Sequence, residues 1–583
     1  MKRVNACLGV LFAVLLFGIV YLHIPFHLQQ LEHTSLFLED WDWFVSMAGQ
    51  LGGVSHWLAA FGIQFFDSPI VGSLMFIFPI CLQFVVMALL LQRKNTGSAV
   101  WMPLAAWVSM CQLVSLYDYN FYWASAIALT LVLVGLLCLS FLPASYYIRS
   151  VLFMAGIPMM AWLAGSVALV YTVGGILLFS SRKDWIQTVL LPLLVYVSTM
   201  VLACYQVWCP SWATAFSPLM YYEPLIPFPL HHWSAWICVV AVLGAGRVLP
   251  VMDGKKKTLV WTVNLLGWVL PCAFWVKYGA ELRNDTNHDL WRLNHYAYME
   301  DWDNILDFLK ERPMNNFLFM NYANMALAEK GMLGDRAFHY RPRGVDALKV
   351  SANSTGPVRL LVSDVNYTVG CIAEAQQHAF EAQVTFPHSM GIQTLKRLVK
   401  TNLIFGHYAV AEKYLSLIGK TTFHKGWAEK YKAFLYNDEA VEKDAELGSK
   451  RRDLSTHNRF AMFYGWQPEL EDIVEAHPQN EKALVYLGLF HLLSKDMKGF
   501  RAFMDKYYAQ KDVKEWPLVF QQGQVMMLHQ NGETWEDAGL SSQVISGYSQ
   551  FLAQYSKNRQ RPNFKDVMNR SFGHTFWYYF IFV

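Results

Sequence analysis

The residues best suited to chemistry in the first half of the chain are carboxylates held in short stretches. Glu39, Asp40 and Asp42 fall within four positions, Asp118 sits in YDYNFYW, and Glu223 sits in YYEPLIPFPLHHW. A carboxylate beside a hydroxyl can accept its proton as the oxygen attacks an electrophile. His231 and His232 end the third stretch, and with Lys277 and Arg283 they are the groups available to meet an anionic substrate such as a phosphate. A histidine at an interface also serves as an ordinary structural residue. His23 and His27 have the i, i+4 spacing of a helical metal pair, but Pro25 lies between them and no HExxH frame accompanies them, so no metal site is expected. The chain carries no Walker loop, no dinucleotide fingerprint and no GxSxG elbow, which removes the common nucleotide-driven and serine-hydrolase classes. No cofactor can be named from the sequence.

What must position these carboxylates is a set of apolar runs. Stretches near residues 6–24, 70–92, 100–117, 124–143, 186–207, 232–251 and 258–277 approach the length that a bilayer core demands. Residues 150–181 form a further uncharged tract broken by Gly156, Pro158, Gly165, Gly174 and Gly175. If that tract turns back on itself, Lys2, Arg3, Arg93, Lys94, Arg149, Arg182, Lys183, Arg247 and Lys255 to Lys257 share one side, leaving only Lys277 opposite. The excess of basic residues on cytoplasmic loops favours this hairpin. The count is then about nine membrane segments in residues 1–278, with the carboxy-terminal domain, residues 279–583, exported. A stretch from Phe44 to Phe66 reads as one amphipathic helix lying in the interface.

Charge divides the chain sharply. Of 47 Lys and Arg and 44 Asp and Glu, only twelve and nine precede Tyr278. The net charge of +3 and pI near 8.2 reflect basic residues used for topology, and no nucleic-acid partner is expected. The nine cysteines show no CxxC pair.

After Lys277 the pattern is amphipathic and helical, without sustained period-two alternation. Three windows share a finer pattern: NYANMALAEKGMLGDRAF with Gly331 and Leu333, TNLIFGHYAVAEKYLSLI with Gly406, Tyr408, Ala411 and Leu415, and ALVYLGLFHLLSKDMKGFRAF with Gly488 and Phe500. Residues 331, 406 and 495 fall at turns between paired helices. The windows resemble degenerate tetratricopeptide repeats, in which small residues let two helices approach and large ones stack each hairpin on the next. The expected fold is all-α: a polytopic helical membrane bundle followed by an α-solenoid, with a non-repetitive helical domain as the alternative. The final FGHTFWYYFIFV is expected to pack on the last helix or the membrane surface.

An acidic motif in the first exported loop, an interfacial helix, many spans and a soluble tail together resemble the GT-C class of membrane glycosyltransferases. GGVSHWLAAFGIQFFDSPIVGSL and NYANMALAEKGMLGDRAF also resemble an uncharacterised family of bacterial inner-membrane proteins. The GT-C resemblance implies transfer of a sugar from a polyprenyl-phosphate carrier to an acceptor outside the cytoplasm. It implies Asp40 or Asp42 as general base, with Glu39 and Asp118 among the catalytic carboxylates, and Glu223, His231, His232 and Lys277 as substrate-binding residues. Membrane lipids are the expected surroundings, and the repeat domain is expected to hold an acceptor or a protein partner. The competing reading is a non-catalytic membrane-anchored scaffold whose helical repeats bind an envelope protein.

Overall fold

The computed structural model describes residues 2–94, 101–142, 146–180, 184–248, 257–282, 285–310, 312, 315–351, 353, 355–386, 390–454, 465–536 and 538–583. Arg283 and several basic loop residues of the topology argument lie outside them. The described residues are helical throughout, with one isolated antiparallel bridge between Phe121 and Tyr222. The chain divides into two compact units, Met1–Asp289 with Lys420–Phe423, and Leu290–Gly419 with His424–Val583.

The first unit is a bundle of apolar helices: α1 (Lys2–His23), α2 (Pro25–His33), α3 (Trp41–Ala48), α4 (Gly53–Ile63), α5 (Pro69–Lys94), α6 (Trp101–Ser115), α7 (Ala124–Phe141), α8 (Tyr146–Ala164), α9 (Ala168–Phe179), α10 (Leu191–Tyr205), α11 (Trp212–Phe216), α12 (Ser234–Val248) and α13 (Lys257–Leu282). Five described stretches are long and apolar enough to cross a membrane: Arg3–His23, Pro69–Arg93, Ala124–Phe141, Tyr147–Phe179 and Ile186–Tyr205. Val10, Leu11, Val14 and Leu22 of α1 are exposed, a stripe that water would penalise and lipid accommodates. The 33-residue stretch Tyr147–Phe179 breaks at Gly165, whose φ is +53°. Its two arms fold back on each other, with Gly175 against Phe153 and Gly156 against Tyr171. The hairpin drawn from the charge pattern is therefore the structure of this tract.

With few charges available, the bundle joins its helices through neutral side chains and backbone carbonyls. Pro79 removes one donor from the α5 ladder. Around it, Trp123 Nε1 donates to the Phe76 carbonyl at 3.1 Å, Thr130 Oγ1 to Pro79 at 3.1 Å and Ser109 Oγ to Ile80 at 2.9 Å. Asn5 and Asn264 exchange amide hydrogen bonds of 3.0 and 2.9 Å between α1 and α13. Such neutral bonds join helices without burying a charge.

One expectation is corrected here. The interfacial stretch 44–66 is not one helix but parts of α3 and α4, because Gly52 takes φ +72° and a Cβ at Gly53 would strike the Met47 carbonyl. Gly52 also lies so close to Gly165 that an added Cβ would sit 3.0 Å from its nitrogen.

The second unit is built from paired helices. Gly356–Val369 and Ile372–Thr385 join at Gly370, Ile392–Phe405 and Tyr408–Ile418 at Gly406, and Glu481–Leu493 and Met497–Tyr507 at Lys495. The turn residues 331, 406 and 495 all adopt the left-handed region, with φ of +68°, +75° and +56°. That conformation ends a helix by turning the chain back, and it favours glycine at two of the three sites. Gly488 would drive a Cβ into the Phe520 ring, so its lack of a side chain lets the neighbouring helix approach. The carboxy-terminal helix Phe576–Phe582 packs into this unit's core: Trp577 Nε1 donates to the Gln522 carbonyl at 3.0 Å and Tyr579 Oη to Leu493 at 2.6 Å.

Candidate functional site

Two loops of the first unit meet at the Phe121–Tyr222 bridge, one following α6 and one preceding α12. Backbone bonds from Tyr122 to Tyr221 at 2.8 Å and from Glu223 to Asn120 at 3.0 Å flank the bridge. The pairing brings together four residues singled out in the sequence: Asp118, Glu223, His231 and His232.

Asp118 is the hub. Its Oδ1 accepts the Asn120 backbone N–H at 2.9 Å, and its Oδ2 accepts the Tyr222 hydroxyl at 3.1 Å and lies 3.1 Å from His232 Nε2. Burial alone would raise its pKa. The bonds from His232, Asn120 and Tyr222 overcome that and leave the carboxyl below its usual range. His232 is 1% exposed and stacks on Phe121 with ring centroids 4.3 Å apart. His231 lies against it at 4.1 Å between centroids, and burial and this neighbour lower its pKa.

Glu223 is in a different state. It is partly buried, and Tyr122 Oη donates to Oε2 at 3.2 Å. Burial raises its pKa against that bond, which moves its basicity toward neutral pH. Burial, reinforced by the adjacent carboxylates, also raises the Tyr122 and Tyr222 phenols, which therefore remain protonated donors.

Sequence reasoning missed part of this cluster. His27 of α2 is buried and stacks on Tyr119 at 4.2 Å, while the Tyr119 hydroxyl lies 3.1 Å from His288 Nδ1. Burial lowers the His27 pKa to about 3, so the ring is neutral. Glu32 and His33 are also buried, 3.7 Å apart. The i, i+4 spacing that drew attention to His27 pointed to His23 instead of Tyr119, because the relevant neighbour comes from a distant loop.

The other predicted site residues lie elsewhere. Asp40 caps α3, its Oδ1 accepting the Asp42 N–H at 2.8 Å, and it pairs with Lys420 of the same unit. The Lys420 hydrogen bond is the main cause of its lowered pKa. Glu39 accepts the Thr422 hydroxyl at 2.6 Å, and Asp42 is exposed. Lys277 is exposed, with its ammonium 5.1 Å from the centre of the Tyr278 ring. The Glu39–Asp42 carboxylates and the Asp118 hub share no hydrogen-bond partner among the described residues.

One atom each from Asp118, His231 and His232 converges within 4.8 Å, a carboxylate and two imidazoles of the kind that bind divalent transition metals. The sequence spacing alone does not reveal this set.

The fold and this cluster define a helical membrane protein with a partly buried carboxylate–imidazole centre in its loops. The chain belongs to a family of unknown function, DUF6057, whose model matches residues 1–583. No curated protein and no solved structure matches it.

Proposed function

We propose that the protein is a GT-C-like membrane glycosyltransferase that moves a sugar from a polyprenyl-phosphate carrier to an acceptor hydroxyl on the exported face of a bacterial inner membrane. The observation that carries the reading is the pairing of Asp118 and Glu223 through the Phe121–Tyr222 bridge. It places a raised, partly buried carboxylate beside a fixed carboxylate–imidazole pair. Three short helices lie between α1 and α5, with Glu32, Glu39, Asp40 and Asp42 on or between the first two, and they add support, since they match the first exported loop that the resemblance implies.

In this reading Glu223 takes the proton from the acceptor hydroxyl. The acceptor oxygen forms a bond to the sugar C1, the bond from C1 to the carrier phosphate breaks, and the polyprenyl phosphate leaves with its electron pair. Asp118 fixes His232 and Tyr222, while His231, together with His232 when its ring is protonated, donates hydrogen bonds to the donor phosphate. The exposed Asp42 is the alternative base. The second unit, read as tetratricopeptide-like hairpins, holds the acceptor or a partner.

Glu223→Gln keeps the side chain's size and removes its basicity. It should lower transfer from a polyprenyl-phosphate hexose about 10²- to 10⁴-fold while leaving membrane insertion intact. Wild-type rates in both Glu223→Gln and Asp42→Asn would remove both carboxylates as the base, and no transfer by the wild-type protein above background would favour the anchored-scaffold reading. Topology is checked separately: alkaline phosphatase fused after Val583 should be active, and a fusion after Lys94 should not.

A further inference from the structure

The second unit contains a cavity of about 820 Å³, a size that accommodates small organic ligands. Its wall carries the cations Lys396, Arg397, Lys400, Lys430, Lys450 and Lys482 and the carboxylates Glu300, Glu329, Asp364 and Glu446. Three of those carboxylates are already engaged. Arg397 Nη2 donates to Asp364 at 2.8 Å, Lys400 Nζ donates to Glu446 at 2.7 Å, and Lys482 pairs with Glu329.

Lys450 is treated differently. It is 9% exposed, its ammonium donates to the Thr368 carbonyl at 2.8 Å, and no carboxylate lies within ion-pair distance of it among the described residues. Burial lowers its pKa to about 8, which leaves it protonated at neutral pH. Glu329 and Asp453 favour its charged form from beyond that distance and the Tyr367 ring centre lies 5.5 Å from the ammonium, but burial outweighs them, and an anionic ligand in the cavity would offset the remaining cost. Lys430 adds a second cation at the exposed edge.

The cavity also limits what the anion can be. Inorganic phosphate is far smaller than the space, and a nucleic-acid backbone would meet the interspersed carboxylates. An apolar ligand would strip water from charged walls without replacing its hydrogen bonds. Hydroxyl groups can accept from the lysines and donate to Asp364, Glu329 and Glu446. Trp427 and Tyr431, stacked with centroids 4.0 Å apart, offer an aromatic surface for the apolar face of a sugar ring.

We propose that this cavity binds an acidic saccharide, a sugar bearing a phosphate or a carboxylate, with Lys450 as its buried anion anchor. The inference does not depend on the transferase reading, because the cavity lies wholly within the second unit.

Calorimetric titration of the full-length protein in detergent tests it with glucose 6-phosphate, glucuronic acid, glucose and inorganic phosphate. At least one of the two acidic sugars should bind about tenfold or more tightly than glucose or phosphate, and the preferred one identifies the anion. Lys450→Met should weaken that binding about tenfold. Lys430→Ala, an exposed change that spares the core, should weaken it about twofold. The proposal is overturned if neither acidic sugar binds at millimolar concentration, if glucose binds equally well, or if both variants bind like the wild type.

Discussion

The two units handle buried polarity in opposite ways. In the first, Thr130, Ser109, Trp123 and the Asn5–Asn264 pair join helices through neutral groups, and Asp118, Glu223, His231 and His232 gather in loops between helices. In the second, charges enter the interior: Asp364 pairs with Arg397, Tyr367 Oη donates to Glu446 at 2.8 Å, and Lys450 is buried. Lipid offers no solvation to an exposed charge, so a membrane bundle confines charge to its ends, whereas a water-facing helical unit can pair charges inside. The difference teaches where to look for function. In each unit the candidate site is the place where ionisable groups are drawn away from water: partly buried carboxylates beside imidazoles in the loops of the first, and in the second a buried lysine with no carboxylate in ion-pair distance among the described residues.

The largest expected effect lies in the second unit. Asp364→Asn leaves the Arg397 guanidinium partly buried without its counter-charge, and should cost about 3 kcal/mol. Thermal unfolding of the purified chain, followed through a reporter placed in the second unit, measures it. A change below about 0.5 kcal/mol would mean that the pair is solvated and the contrast between the units is overstated.

An intermediate effect belongs to His27. Its folded pKa of about 3 lies below its ordinary 6.5, so the unfolded chain takes up a proton that the folded ring refuses. Its contribution is fully present above pH 6.5 and is lost as pH falls from 6.5 toward 3. At pH 5 the loss should be about 2 kcal/mol. The fall in melting temperature between pH 7 and pH 5 should therefore be smaller in His27→Gln, and equal falls in both proteins would contradict the neutral, buried ring.

The smallest effect sharpens the comparison from the membrane side. Thr130→Val removes the hydroxyl that bonds Pro79 and Ala126 but keeps the side chain's shape. It should cost only about 0.6 kcal/mol, the usual scale of a hydrogen bond between membrane helices. A loss as large as that of Asp364→Asn would erase the distinction between the two units.

Much of the helical framework is visible in the sequence because its signals are local. Apolar runs mark the long helices, Gly331 and Gly406 mark turns, and the charge pattern around residues 150–181 implies the hairpin seen between α8 and α9. Asp40, standing just before Trp41, also carries the ordinary mark of a helix cap, the role in which the structure places it. What stays hidden depends on distant segments. Tyr222 is 104 residues from Asp118 and His232 is 114, and nothing in either stretch announces the other. The ring that His27 stacks on lies 92 residues away in sequence, and the cavity around Lys450 draws on residues from Ala297 to Lys482. The single interfacial helix expected over residues 44–66 fails for a local reason, since Gly49, Gly52 and Gly53 interrupt an otherwise amphipathic run.

The most direct test of the transferase reading is the lipid that stays with the protein. Mass spectrometry of the full-length chain, extracted from its native membrane in mild detergent, should detect polyprenyl phosphate or its sugar ester enriched over bulk phospholipid. Replacing His231 and His232 together with Ala should remove that enrichment while the chain stays folded. Retention of ordinary phospholipid alone, in wild type and variant alike, would contradict the account.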